Sequence, residues 1–167
     1  MPGIAEIRDS DARGFLTVEL RDFLRVVEPE GRHLIWSILD LEARSDPDKF
    51  KANLLEIEQQ VSQSPQGLIL SWEELVEFAD ALIEVLDTVI VGCKDKKLIP
   101  RLVPGDEIFS TCEIGIEAFD SSLWRVYARD DKLLQKVQAA FQNVAVVPLS
   151  SPLKRKPTHE KNSDLDV

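Results

Sequence analysis

The 167-residue chain carries 30 acidic and 20 basic residues, a net charge of −10, and is 44% apolar, the composition of a globular protein able to bury a core without disulfides or metal staples. Residues 148–167 contribute +1, so residues 1–147 carry −11; a body of that sign is repelled by phosphate backbones and anionic lipid surfaces, which argues against nucleic-acid and membrane partners. A basic protein would instead be attracted and steered.

In chain order, residues 1–13 read as a flexible lead-in with Glu6, Asp9 and Asp11, and they lack the apolar core of a signal peptide. Leu16, Leu20, Phe23, Leu24 and Val27 recur at helical spacing, and Glu28-Pro29-Glu30-Gly31 is expected to stop that helix. His33 to Leu41 is a short apolar run bounded by turn residues and reads as a strand. Asp46-Pro47 suits a helix start, with Phe50, Leu54, Ile57 and Val61 on one stripe and Ser64-Pro65-Gln66-Gly67 as the break. Residues 67–70 make a further short strand.

Ser71-Trp72-Glu73-Glu74 has the pattern of a capping box, with Leu70 and Leu75 placed as a hydrophobic staple. The apolar stripe Trp72, Leu75, Val76, Ala79, Leu82, Ile83 and Leu86 predicts a helix continuing to Leu86, followed by a strand over Thr88–Cys93. Residues 94–112, broken by Pro100, Pro104 and Gly105, predict a strand fragment near 98–103 and then loop; a variable insertion explains them, and a functional surface is the alternative.

Residues 113–129 predict a hairpin whose paired residue numbers sum to 242. Ile114, Ile116 and Ala118 then face Ala128, Val126 and Trp124 on the apolar side. On the other side Glu113 faces Arg129, Glu117 faces Arg125, and Gly115 leaves room for the Tyr127 ring. Asp120-Ser121-Ser122 is the loop, and a loop of this length calls for a left-handed residue although no glycine is present. Asp130-Asp131 suit a helix start; Leu133, Leu134, Val137, Ala140 and Phe141 form its buried face, Asn143 ends it, and Val144–Val147 adds a strand. From Pro148 the hydrophobic residues vanish and a disordered tail is expected over 148–167. The fold expected over residues 14–147 is a single α+β domain, a mixed or mainly antiparallel sheet with helices packed on one face.

Chemistry-bearing patterns are few. His33 is the one histidine outside the tail, and no serine or carboxylate spacing binds it into a triad. Cys93 and Cys112 have no zinc spacing and read as reduced, inert small hydrophobes. Glu73, Glu74 and Glu77 occupy the polar face of their helix. Trp36, Trp72 and Trp124 read as core. The hairpin loop with Asp120, Ser121 and Ser122 beside Tyr127, together with the acidic Asp40 and Glu42, forms the set of candidate partner-binding residues. No catalytic residue, metal ligand or cofactor is expected.

Two segments carry a resemblance: Ile116-Glu117-Ala118-Phe119-Asp120-Ser121-Ser122-Leu123-Trp124-Arg125-Val126-Tyr127, followed by Leu133-Leu134 and Phe141, and Gly67-x-x-Leu70-Ser71-Trp72-x-Glu74-Leu75. They resemble small bacterial α+β proteins, among them immunity-type proteins of toxin systems. That resemblance implies a cytoplasmic, non-catalytic protein that binds another protein. The expectation is therefore a non-enzymatic acidic protein-binding module, immunity-like, inhibiting a basic toxin. Two alternatives stand beside it: a small ligand-binding protein or enzyme using carboxylates and the 94–112 loop, and a structural subunit of an oligomer.

Overall fold

The computed structural model describes residues 3–8, 18–45, 48, 54–120 and 122–149. Its strands are β1 (Gly3–Ile7), β2 (Ile35–Ser45), β3 (Leu68–Leu70), β4 (Leu82–Cys93), β5 (Ile114–Phe119), β6 (Leu123–Ala128) and β7 (Val144–Val147). They form one seven-stranded sheet in the order β3-β2-β4-β5-β6-β1-β7, and each pairing is antiparallel. The helices α1 (Leu20–Gly31), α2 (Leu54–Gln63), α3 (Trp72–Asp80) and α4 (Asp131–Ala140) pack their apolar stripes on one face of the sheet. This is the expected α+β architecture. Among the described residues no helix is long and apolar enough to cross a membrane.

The hairpin β5–β6 has the register read from its alternation, Ile114 opposite Ala128 through Ala118 opposite Trp124. Its apolar row lies in the helix-side core. The loop's left-handed position is taken by Asp120 at φ 51°, a residue type that tolerates this region better than most. The α3 capping box is also present: Glu74 N–H donates to Ser71 Oγ at 3.2 Å and Ser71 N–H to Glu74 Oε1 at 3.0 Å. Trp36, Trp72 and Trp124 are all buried.

Three expectations about the elements are corrected, and one boundary is sharpened. The lead-in 1–13 contains β1, a fully buried strand inserted between β6 and β7. The first helix includes Pro29 in its last turn and ends at Gly31, the last residue of the expected stop. The third helix ends at Asp80, and Leu82–Leu86 belong to β4. That segment pairs with the far half of β2, Ala43 opposite Val85 and Ser45 opposite Leu82, so the sheet overrides an ambiguous apolar spacing. Finally, residues 94–112 hold no strand among them.

That last segment forms a strap with two 3-10 turns, Lys96–Leu98 and Asp106–Phe109. Its Ile99, Ile108, Phe109 and Cys112 are buried against Ile4, Leu39, Val89, Val91 and Tyr127. The strap therefore covers the sheet face opposite the helices, anchored by these four buried side chains while most of its other residues are exposed. Gly115 makes room for it: a Cβ there would lie 2.3 Å from the Phe109 ring, and Phe109 in turn stacks on Tyr127 at 5.1 Å between centroids. The space is for Phe109, not for Tyr127. Of the predicted tail, Leu149 packs on this second cluster, and residues 150–167 lie outside the described residues, as do Asp46-Pro47 and Phe50 of the predicted α2 start.

Candidate functional site

A shallow groove with an acidic rim lies where the end of α1 meets α3. Gly31 closes that junction, because a Cβ there would lie 2.8 Å from Trp72 Cζ3 and 3.0 Å from Trp36 Cζ2. The Trp36 indole N–H donates to the Gly31 carbonyl at 2.9 Å, and the Trp36 and Trp72 rings meet at 5.9 Å. The last turn of α1 is thus pinned beside the first turn of α3.

The result is a groove of about 490 Å³ lined by Glu28, Trp72, Glu73, Val76, Glu77, Asp80 and Ala81. Glu73, Glu77 and Asp80 stand at i, i+4 and i+7 on one side of α3. Glu28 comes from α1 and pairs with Arg32 one turn on. The hydrogen bond that Arg32 donates to Glu28, then the Glu28 charge, and then that of Glu73 raise the Arg32 pKa above its usual value. The groove is acidic around an apolar floor. Such a surface can receive a cationic side chain whose aliphatic stem lies on Trp72 and Val76.

A second polar group is buried on the strap side. Arg125, 2% exposed, contacts Glu6 at 3.2 Å, Glu117 at 3.1 Å and Asp106 at 3.0 Å. Burial opposes the Arg125 charge, but the hydrogen bond to Asp106 and the charges of Glu117 and Asp106 outweigh it and raise its pKa. This cluster ties the strap to the sheet and is closed to a partner. Among the described residues no group of three or more His, Cys, Asp or Glu side chains is arranged to hold a metal ion.

The residues singled out in the sequence are scattered. Tyr127 is 2% exposed beneath Phe109, at the end of β6 away from the hairpin loop, so the expected polar-aromatic patch does not form. Asp40 is 8% exposed, next to a register shift in β2, and its carbonyl accepts from Thr88 Oγ1 at 2.7 Å. Asp120, Ser122 and Glu42 are exposed; Ser121 lies outside the described residues. Glu42 and Asp120 are brought to one end of the sheet through Asp87, which opposes Glu42 across the β2–β4 ladder and accepts the Asp120 N–H at 3.0 Å. The groove was missed because its α3 carboxylates read as an ordinary polar face; their i, i+4, i+7 spacing was the available signal, whereas Glu28 joins them only through tertiary packing. No protein family, curated protein or solved structure matches the chain.

Proposed function

We propose that the chain is a non-enzymatic acidic protein-binding module whose α1–α3 groove receives a basic protein. An immunity-like inhibitor of a basic toxin is the specific form of this reading, and it rests on the sequence resemblance alone. One observation carries the general reading: Glu28, Glu73, Glu77 and Asp80 surround the apolar Trp72, Val76 and Ala81. A partner's Lys or Arg side chains gain charge attraction at the rim and apolar contact on the floor, the arrangement of a polar rim around an anchoring centre. The net charge of −10 adds long-range steering toward such a partner.

The test is capture from a lysate of the native source, at low and high salt, using the wild type, a groove variant Glu73→Lys/Glu77→Lys and a control variant Glu56→Lys/Glu107→Lys of equal charge change. The reading predicts a stoichiometric basic protein, released by salt, retained by the control and lost by the groove variant. A partner held equally by both variants would place the contact elsewhere.

A further inference from the structure

The Cys93 and Cys112 thiols take no part in the groove, yet their sulfurs lie 3.4 Å apart without a disulfide between them. Cys93 ends β4 and Cys112 ends the strap, so the pair joins the two roots of the segment that covers the second sheet face. Both residues are fully buried. Around them, Cys93 Sγ lies 3.6 Å from the Leu98 carbonyl, Cys112 Sγ 3.5 Å from the Ile108 carbonyl, and Thr111 Oγ1 donates to Leu98 O at 2.6 Å. The charged neighbours are Glu113 and Arg129, which bond each other; Arg129 also donates to the Cys112 carbonyl.

We propose that Cys93 and Cys112 are an oxidative modification site, a dithiol that hydrogen peroxide converts to an intramolecular disulfide clamping the strap onto the sheet. The sulfurs must approach by about 1.4 Å to reach bonding distance. Cys93 is held in the β2–β4 ladder opposite Ile35, so the movement falls to Cys112, which lies outside the strands and follows the 3-10 turn Asp106–Phe109; Gly105, at φ 83°, has open space around it. Local opening of the strap admits the oxidant.

In the first step the Cys93 thiolate attacks a peroxide oxygen; the O–O bond breaks, the departing hydroxide takes a proton to become water, and Cys93 becomes a sulfenic acid. In the second, the Cys112 sulfur attacks the Cys93 sulfur; the S–O bond breaks, the S–S bond forms, and the hydroxyl leaves with the Cys112 proton as a second water. The two thiols lose two electrons and peroxide gains them. The order follows from the hydrogen bond between the sulfurs: it lowers the pKa of Cys93 and raises that of Cys112, so Cys93 holds the larger thiolate fraction.

The test treats the full folded chain with hydrogen peroxide, counts free thiols after unfolding, and maps peptides without reduction. The expected result is joint loss of both thiols, a mass decrease of two hydrogens, a linked Cys93–Cys112 peptide in the monomer, and recovery with dithiothreitol. The urea midpoint should rise on oxidation in wild type and not in Cys93→Ser. Independent oxidation to sulfinic acids, a disulfide between two chains, or thiols inert at a peroxide concentration that oxidises the urea-unfolded chain would each overturn the proposal; none of these depends on a variant folding.

Discussion

Arg125 and Glu6 are 119 residues apart in the chain, and Arg125 Nε lies 3.2 Å from Glu6 Oε2. They are direct cross-strand partners, Glu6 on β1 and Arg125 on β6. On the other side of β6, Glu117 opposes the same Arg125 from β5. One guanidinium therefore sits between two glutamates in a row across three strands, and Asp106 reaches it from the strap. The contact joins the start of the chain, the hairpin and the strap in one buried point.

Replacing that guanidinium removes the counter-charge that three buried carboxylates share, Glu6 keeping a longer contact to Arg8 at 3.6 Å. Arg125→Met should destabilise the fold by about 3–5 kcal/mol, the usual cost of breaking a buried ion pair from one side. The urea midpoint measures this, and a midpoint equal to wild type would contradict the burial of the cluster.

Gly115 tests the packing of the strap on the sheet. Any Cβ there meets Phe109 at 2.3 Å, and Phe109 is itself held between the sheet and Tyr127. Gly115→Ala should cost about 1–3 kcal/mol as an overpacked core does, and a Gly115→Ala/Phe109→Leu double variant should lose less than the two single effects combined. Full additivity in urea unfolding would show that the two residues are not in contact.

On the helix side, Trp124 is buried, packs on Phe23 at 4.9 Å and donates its indole N–H to the Val18 carbonyl at 3.0 Å. Trp124→Ala removes both the ring and this bond, and should destabilise by about 3–5 kcal/mol. An unchanged urea midpoint would show the ring to be exposed.

Tyr127 is the chain's single tyrosine, so its ionisation can be followed alone by phenolate absorbance. Burial is the main cause raising its pKa. Since the folded value lies above the unfolded one, the neutral phenol's contribution to stability is complete below the unfolded pKa and is lost as pH rises through the folded pKa. The folded protein should therefore titrate at a higher pH than the urea-unfolded chain. Coincident curves would contradict the buried position.

How much of this was readable in the sequence depended on the range of the interactions. The 113–129 register was legible because alternation on both arms and a short loop leave one pairing that keeps Glu113 and Glu117 off the apolar face. The α3 start was legible because Ser71 and Glu74 bond within one turn. By contrast, β1 has Ile4 and Ile7 on opposite faces and a Glu6 that reads as solvent-facing until Arg125 arrives from the far end of the chain. The end of α3 carries no glycine or proline, so only pairing with β2 shows that Leu82 begins a strand. The strap's Ile99, Ile108 and Phe109 follow no period because 3-10 turns, not a regular element, deliver them to the sheet. The groove shares this limit, since Glu28 reaches the α3 carboxylates only through the contact that Gly31 allows with Trp72.

The central claim, that the α1–α3 groove is the contact surface, is tested most directly by amide hydrogen exchange on the captured complex against the free protein. The account predicts slowed exchange confined to the last turn of α1 and to residues 72–81, with the hairpin loop at Asp120–Ser122 and the strap unchanged. Protection at the hairpin loop or along the strap, with 72–81 exchanging as in the free chain, would contradict it.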